Sequence, residues 1–100
     1  MDDELLEALE EAWDSESGFL GKLRSGRFDP EAGEAYVALL SRVPPIGDTV
    51  DSRLVQLIWF APTLIEWQTE RATKSAAEVK KLERIGDLVR EVLIARLGLP

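Results

Sequence analysis

The chain of 100 residues carries 12 Lys and Arg against 19 Asp and Glu, a formal charge of −7, and has neither Cys nor His. This is room for one domain, residues 1–100, and a hydrophobic share of 45% is too high for a disordered chain. Without Cys and His there is no disulfide framework, thiolate nucleophile, imidazole base or common zinc ligand, so no enzymatic activity and no cofactor are expected.

The acidity is local. Residues 1–16 hold eight acids and no base, whereas the rest of the chain holds 11 acids and 12 bases. The first segment, DDELLEALEEAWD, sets Leu5, Leu6, Leu9, Ala12 and Trp13 at helical spacing. Asp3, Glu7, Glu10 and Asp14 run down another side with Glu11 beside them. Like charges at i,i+4 oppose this helix, so the packing of Leu5, Leu9 and Trp13 must hold it.

Residues 15–25 suggest a second short helix, with Ser15 or Ser17 as cap, Phe19, Leu20 and Leu23 inward, and Gly26 as its stop. Gly18 and Gly21 weaken it, and periodicity alone leaves open whether it continues the first helix or bends away. Asp29 followed by Pro30 is an N-cap with proline at the first helical position, and Ala32, Ala35, Tyr36, Leu39, Leu40 and Val43 follow at core-facing spacing until Pro44 and Pro45.

After a PPIGD turn, with Asp48 or Asp51 as cap, Leu54 to Trp67 is the most apolar stretch. It predicts a central helix surrounded by others and kinked at Pro62, or two shorter helices in its place. A buried strand from Val55 to Phe60 is the competing assignment. Trp59, Phe60 and Trp67 are expected in the core; Glu66 and Gln56 are expected at the helix rim, with Arg71 or Arg53 as partners for Glu66 if it is buried. Ser75 and Glu78 have the spacing of a capping box, opening a last helix whose stripe is Val79, Leu82, Ile85, Val89, Val92, Leu93 and Leu97. Gly86, on or beside that stripe, would let another helix approach closely. The sum is an all-α bundle of four to five helices.

The feature that points to function is the acidic face: Asp3, Glu7, Glu10, Glu11 and Asp14 would attract a basic protein partner, speeding encounter and fixing orientation. One exposed helix does not supply the converging oxygens of a metal site or the unequal environments of paired catalytic carboxylates, so no metal is expected. The bases of the last helix are interleaved with acids, which argues against nucleic acid and against a membrane surface as partners. No segment joins a basic start, an apolar run and a cleavage site, so a soluble cytoplasmic protein is expected. Self-association through Phe28, Val37 and the rim of the last helix is the alternative function, that of a structural module.

The stretch from Trp13 to Asp29, WDSESGFLGKLRSGRFD, with the later run LIWFAPTLIEWQ, resembles small acidic immunity proteins of bacterial contact-dependent inhibition and related polymorphic toxin systems. The resemblance covers about half the chain and carries no residue-level binding motif. It implies a cytoplasmic, non-catalytic protein that binds and neutralises one cognate toxin domain, often a basic nuclease.

Overall fold

The computed structural model describes residues 3–45 and 51–97. They form six α-helices and no strand: α1 (Asp3–Glu11), α2 (Phe19–Arg24), α3 (Pro30–Leu40), α4 (Ser52–Ile58), α5 (Ala61–Ala72) and α6 (Ala76–Leu97). The all-α expectation holds, whereas the number of helices exceeds the expected four to five because the apolar run is divided. Asp48 lies outside the described residues; the other candidate cap, Asp51, accepts from the Arg53 N–H at 2.8 Å and opens α4.

The 22-residue α6 is about 33 Å long at 1.5 Å per residue, and it lies along both α3 and α5. Helix α2 packs on α5 and α3, and α1 on α4 and α3. The extents of 42 × 27 × 18 Å correspond, along the shortest axis, to about two layers of helices. The core joins Leu5 and Leu9 of α1, Phe19, Leu20 and Leu23 of α2, Tyr36 and Leu40 of α3, Leu54 and Ile58 of α4, Leu64 and Ile65 of α5, and Leu82, Ile85 and Val89 of α6. Gly86 is buried in this seam, where an added Cβ would stand 3.1 Å from the Ile65 Cγ2, so its bare backbone does allow α5 to come close. On α3 the buried stripe is Gly33, Tyr36 and Leu40, and Ala35, expected inside, is exposed.

The first two helices are separate, and their corner depends on two glycines. The Leu20 and Gly21 N–H groups both donate to the Ala12 carbonyl, at 2.9 and 3.1 Å, so donors left free at the start of α2 meet an acceptor left free at the end of α1. Gly18, not Ser15 or Ser17, is the N-cap of α2, and no side chain caps that end. A Cβ at Gly18 would overlap the Ala12 and Glu11 carbonyl oxygens, and one at Gly21 would overlap the Asp14 carbonyl. The glycines that lower helix propensity are therefore what permits the close turn. Helix α2 ends in a Schellman motif: the Arg27 N–H donates to the Lys22 carbonyl at 2.8 Å and the Gly26 N–H to the Leu23 carbonyl at 2.9 Å, with Gly26 at φ 83°.

Other start signals form as expected. Asp29 accepts from the Ala32 N–H at 3.2 Å and, through its other oxygen, from the Lys22 ammonium at 2.8 Å. Both contacts favour the charged carboxylate, and with the Lys22 hydrogen bond foremost they hold its pKa below the ordinary value. Ser75 accepts from the Glu78 N–H at 3.2 Å; the Glu78 carboxylate returns to the Lys74 N–H at 2.7 Å, one residue before the position of an ordinary capping box.

The apolar run from Leu54 to Trp67 forms two shorter helices, the stated alternative to one kinked helix, and it is not surrounded by protein. Helix α4 ends at Ile58, and α5 begins at Ala61 with Pro62 in its first turn. N–H groups there have no acceptor within the helix, so a proline starts a new helix at no hydrogen-bonding cost. Trp59 and Trp67 are 60% and 68% exposed, which overturns the expectation that they lie in the core.

Candidate partner-binding surface

Asp3, Glu7, Glu10, Glu11 and Asp14 are all exposed. Glu7, Glu10, Glu11 and Asp14 line one shallow groove with Trp13; Asp3, in the first turn of α1, is not part of its lining. The fold gives these carboxylates unequal duties. Glu10 pairs with Arg53 of α4 at 2.7 Å, a cross-helix contact not visible in a helix that contains no base of its own. Glu11 accepts from the Ser17 hydroxyl across the α1–α2 corner. Asp14 caps the turn that follows α1, one oxygen accepting from the Glu16 and Ser17 N–H groups at 2.9 and 3.0 Å, and these backbone hydrogen bonds lower its pKa. Glu7 makes no ion pair among the described residues and is the most available charge of the groove.

Trp13 joins this acidic groove to a second one. Its indole N–H donates to the Leu57 carbonyl at 2.8 Å, which fastens the end of α1 to the last turn of α4, where carbonyls lack helical partners. The Arg24 guanidinium stands 5.1 Å from the centroid of the Trp13 ring, within cation–π range. Beyond it, Glu10, Trp13, Arg24, Arg53, Gln56, Leu57, Trp59 and Phe60 line a groove of about 350 Å³. Phe60 lies between the two exposed indoles, with ring centroids 5.2 Å from Trp59 and 5.3 Å from Trp67, the latter pair edge to face. The result is one continuous surface, acidic at α1 and aromatic at the α4–α5 corner.

The aromatic half is hidden in the sequence because the apolar density of Leu54 to Trp67 masks a polar periodicity. Trp59 is three residues from Gln56 and six from Arg53, and all three are exposed on one side of α4. Trp67 has Thr63 four residues before it and Glu70 three residues after it. Each tryptophan therefore shares its helical face with polar neighbours, a signal that marks a solvent-facing position.

Glu66 and Gln56 are exposed, as expected, so Glu66 does not need the buried partner for which Arg71 or Arg53 stood; it faces Arg90 of α6 at 3.7 Å. Phe28 and Val37, named above as contacts for self-association, are partly buried and packed against the core, whereas Ile94 and Leu97 of the last helix are exposed; with Trp59 and Trp67 these are the exposed large apolar residues among those described. Among the described residues no group of three or more His, Cys, Asp or Glu is placed to hold a metal ion, and no helix is long and apolar enough to cross a membrane. Comparison with protein-family models, with curated proteins and with solved structures gives no match for this chain.

Proposed function

We propose that this protein acts by binding another protein, and that it is a cytoplasmic, non-catalytic inhibitor that neutralises a basic bacterial toxin domain. The observation that carries the reading is the groove in which Glu7, Glu10, Glu11 and Asp14 converge beside Trp13. With Glu10 balanced by Arg53, the three remaining carboxylates on this surface raise the local concentration of a cationic partner and orient it on approach. The resemblance of residues 13–29 and 57–68 to immunity proteins supports a toxin domain as that partner, and an acidic surface of this kind suits a groove built to hold phosphates.

The test begins with affinity capture from the source cells using the folded chain as bait, with low-salt and then high-salt washes. The expected result is one basic protein, released by salt, that stops growth when produced alone and is tolerated when this chain is co-produced. Glu7→Lys with Glu11→Lys should slow association with that protein and flatten its salt dependence. These two positions are preferred to Glu10, which holds Arg53, and Asp14, which caps a turn, although Glu11 gives up its hydrogen bond from the exposed Ser17 hydroxyl. An unchanged association rate in the double variant refutes the acidic surface; a captured protein without toxicity refutes the inhibitor.

Exposed Trp59 and Trp67 favour a second reading, in which the chain pairs with a copy of itself. Sedimentation over a wide concentration range separates the two, since only the second requires the mass to rise.

A further inference from the structure

We infer that the groove at the α4–α5 corner is an anchor site for one large apolar side chain, carried on the same segment of the partner whose basic residues lie on α1. This rests on the acidic-surface reading above and adds to it the part of the contact that fixes register. Two tryptophans at 60% and 68% exposure on either side of a partly buried phenylalanine form an aromatic patch that the fold itself does not cover. Rigid aromatic rings dominate the centres of protein interfaces because they bury much area with few torsions to fix, and contiguous exposed apolar patches mark such sites. The Trp13 ring is held in place: its indole N–H is hydrogen-bonded to the Leu57 carbonyl, so the wall between the acidic and aromatic grooves is pre-set.

Charge selects the occupant. The two cations of the aromatic groove are engaged within the molecule, Arg53 with Glu10 and Arg24 with the Trp13 ring, and the adjoining groove still presents Glu7, Glu11 and Asp14. A second copy docked about a twofold axis through the aromatic patch would cover the rings but swing the acidic grooves to opposite sides, leaving Glu7 and Glu11 of each copy without a cationic partner. A nucleic acid would meet the same carboxylates. A polypeptide segment with Lys or Arg at one end and a bulky apolar residue at the other satisfies both halves.

The experiment is panning of a random peptide display library on the folded full-length chain. Synthetic copies of the winners are then titrated against parent, Trp59→Ser, Trp67→Ser and the Glu7→Lys, Glu11→Lys pair. Both tryptophans are mostly solvent-exposed, and unchanged far-ultraviolet circular dichroism confirms that each variant is folded. The expected winners combine Lys or Arg with Phe, Trp, Leu or Met, lose about tenfold or more in affinity on Trp59→Ser, and weaken with salt and with the charge reversals. Sensitivity to charge reversal alone overturns the anchor and leaves the acidic surface standing. Sensitivity to Trp59→Ser alone removes the basic partner and both readings with it. Absence of any peptide that prefers the parent, or a concentration-dependent dimer abolished by Trp59→Ser, also overturns the inference.

Discussion

Replacing Gly21 by alanine adds one methyl group where, among the described glycines, a Cβ would have the least room. The new Cβ would overlap the Asp14 carbonyl and stand 2.6 Å from the Trp13 carbonyl oxygen. Both obstacles are main-chain atoms, so no side-chain rotation relieves the contact. Helix α2 would have to move away from the end of α1, stretching the Leu20 and Gly21 hydrogen bonds to Ala12. Overpacking of this kind costs about 3 kcal/mol at the upper end of its usual range, and two weakened hydrogen bonds add about 1 kcal/mol each. Alanine's better helix propensity returns about 1 kcal/mol. The net loss is about 3 to 4 kcal/mol, which for a domain of this size lowers the melting temperature by about 12 °C or more. Urea and thermal unfolding followed by circular dichroism measure it directly. Gly86→Ala is the control, because its Cβ meets only the Cγ2 methyl of Ile65 at 3.1 Å and the propensity gain offsets the strain, leaving it within about 1 kcal/mol of the parent. If Gly21→Ala unfolds within about 0.5 kcal/mol of the parent, the close α1–α2 crossing is wrong.

Gly26→Ala meets no atom nearer than the Arg71 Nε at 3.7 Å, so its cost is conformational alone, about 1 to 2 kcal/mol for an L-residue at φ 83°, again read by urea unfolding. Trp13→Phe keeps the ring but removes the donor to Leu57, and should cost about 1 to 2 kcal/mol in the same assay. Asp29→Ala should cost about 1 kcal/mol at neutral pH through loss of the α3 cap. Because the folded state holds the Asp29 pKa below its ordinary 3.8, its contribution is complete above that value and is lost as pH falls through the folded pKa; the stability gap between parent and Asp29→Ala should therefore narrow on acidification below pH 3.8. A gap that widens instead would contradict the assigned contacts.

What was legible in the sequence was what local chemistry decides alone. Asp29 with Pro30, Ser75 with Glu78, and Gly26 act within a few residues of themselves, and each does in the fold what its chemistry suggests. The stripes of α1, α2 and, as far as Leu93, α6 emerged because one face is apolar and the other charged; Leu97, expected on the α6 stripe, is exposed. Pro62 was ambiguous for a physical reason: the same missing N–H that breaks a helix in its middle is harmless in its first turn, and the choice depends on whether α4 has already ended. That ending is fixed by tertiary packing, including the Trp13 indole bonded to Leu57 from 44 residues away, which no window along the chain contains.

The surface was half legible for a related reason. A run of carboxylates is visible without a fold, but its division of labour is not. Glu10 gains Arg53 only when α1 and α4 meet, and Asp14 is committed to a turn only when α2 bends back. This changes which charges can serve recognition. Side chains already holding local structure change stability as well as binding when reversed, so a loss of affinity at Glu10 or Asp14 would carry both effects. Glu7, with no ion pair among the described residues, isolates the electrostatic contribution. The tryptophans show the opposite case: their residue type suggests burial, yet their exposed faces leave them free of the core, so Trp59→Ser should change binding with a stability shift of only about 0.5 kcal/mol. A separation of affinity from stability at Glu7 and Trp59, and its absence at Asp14, is what distinguishes a recognition surface from a merely solvated one.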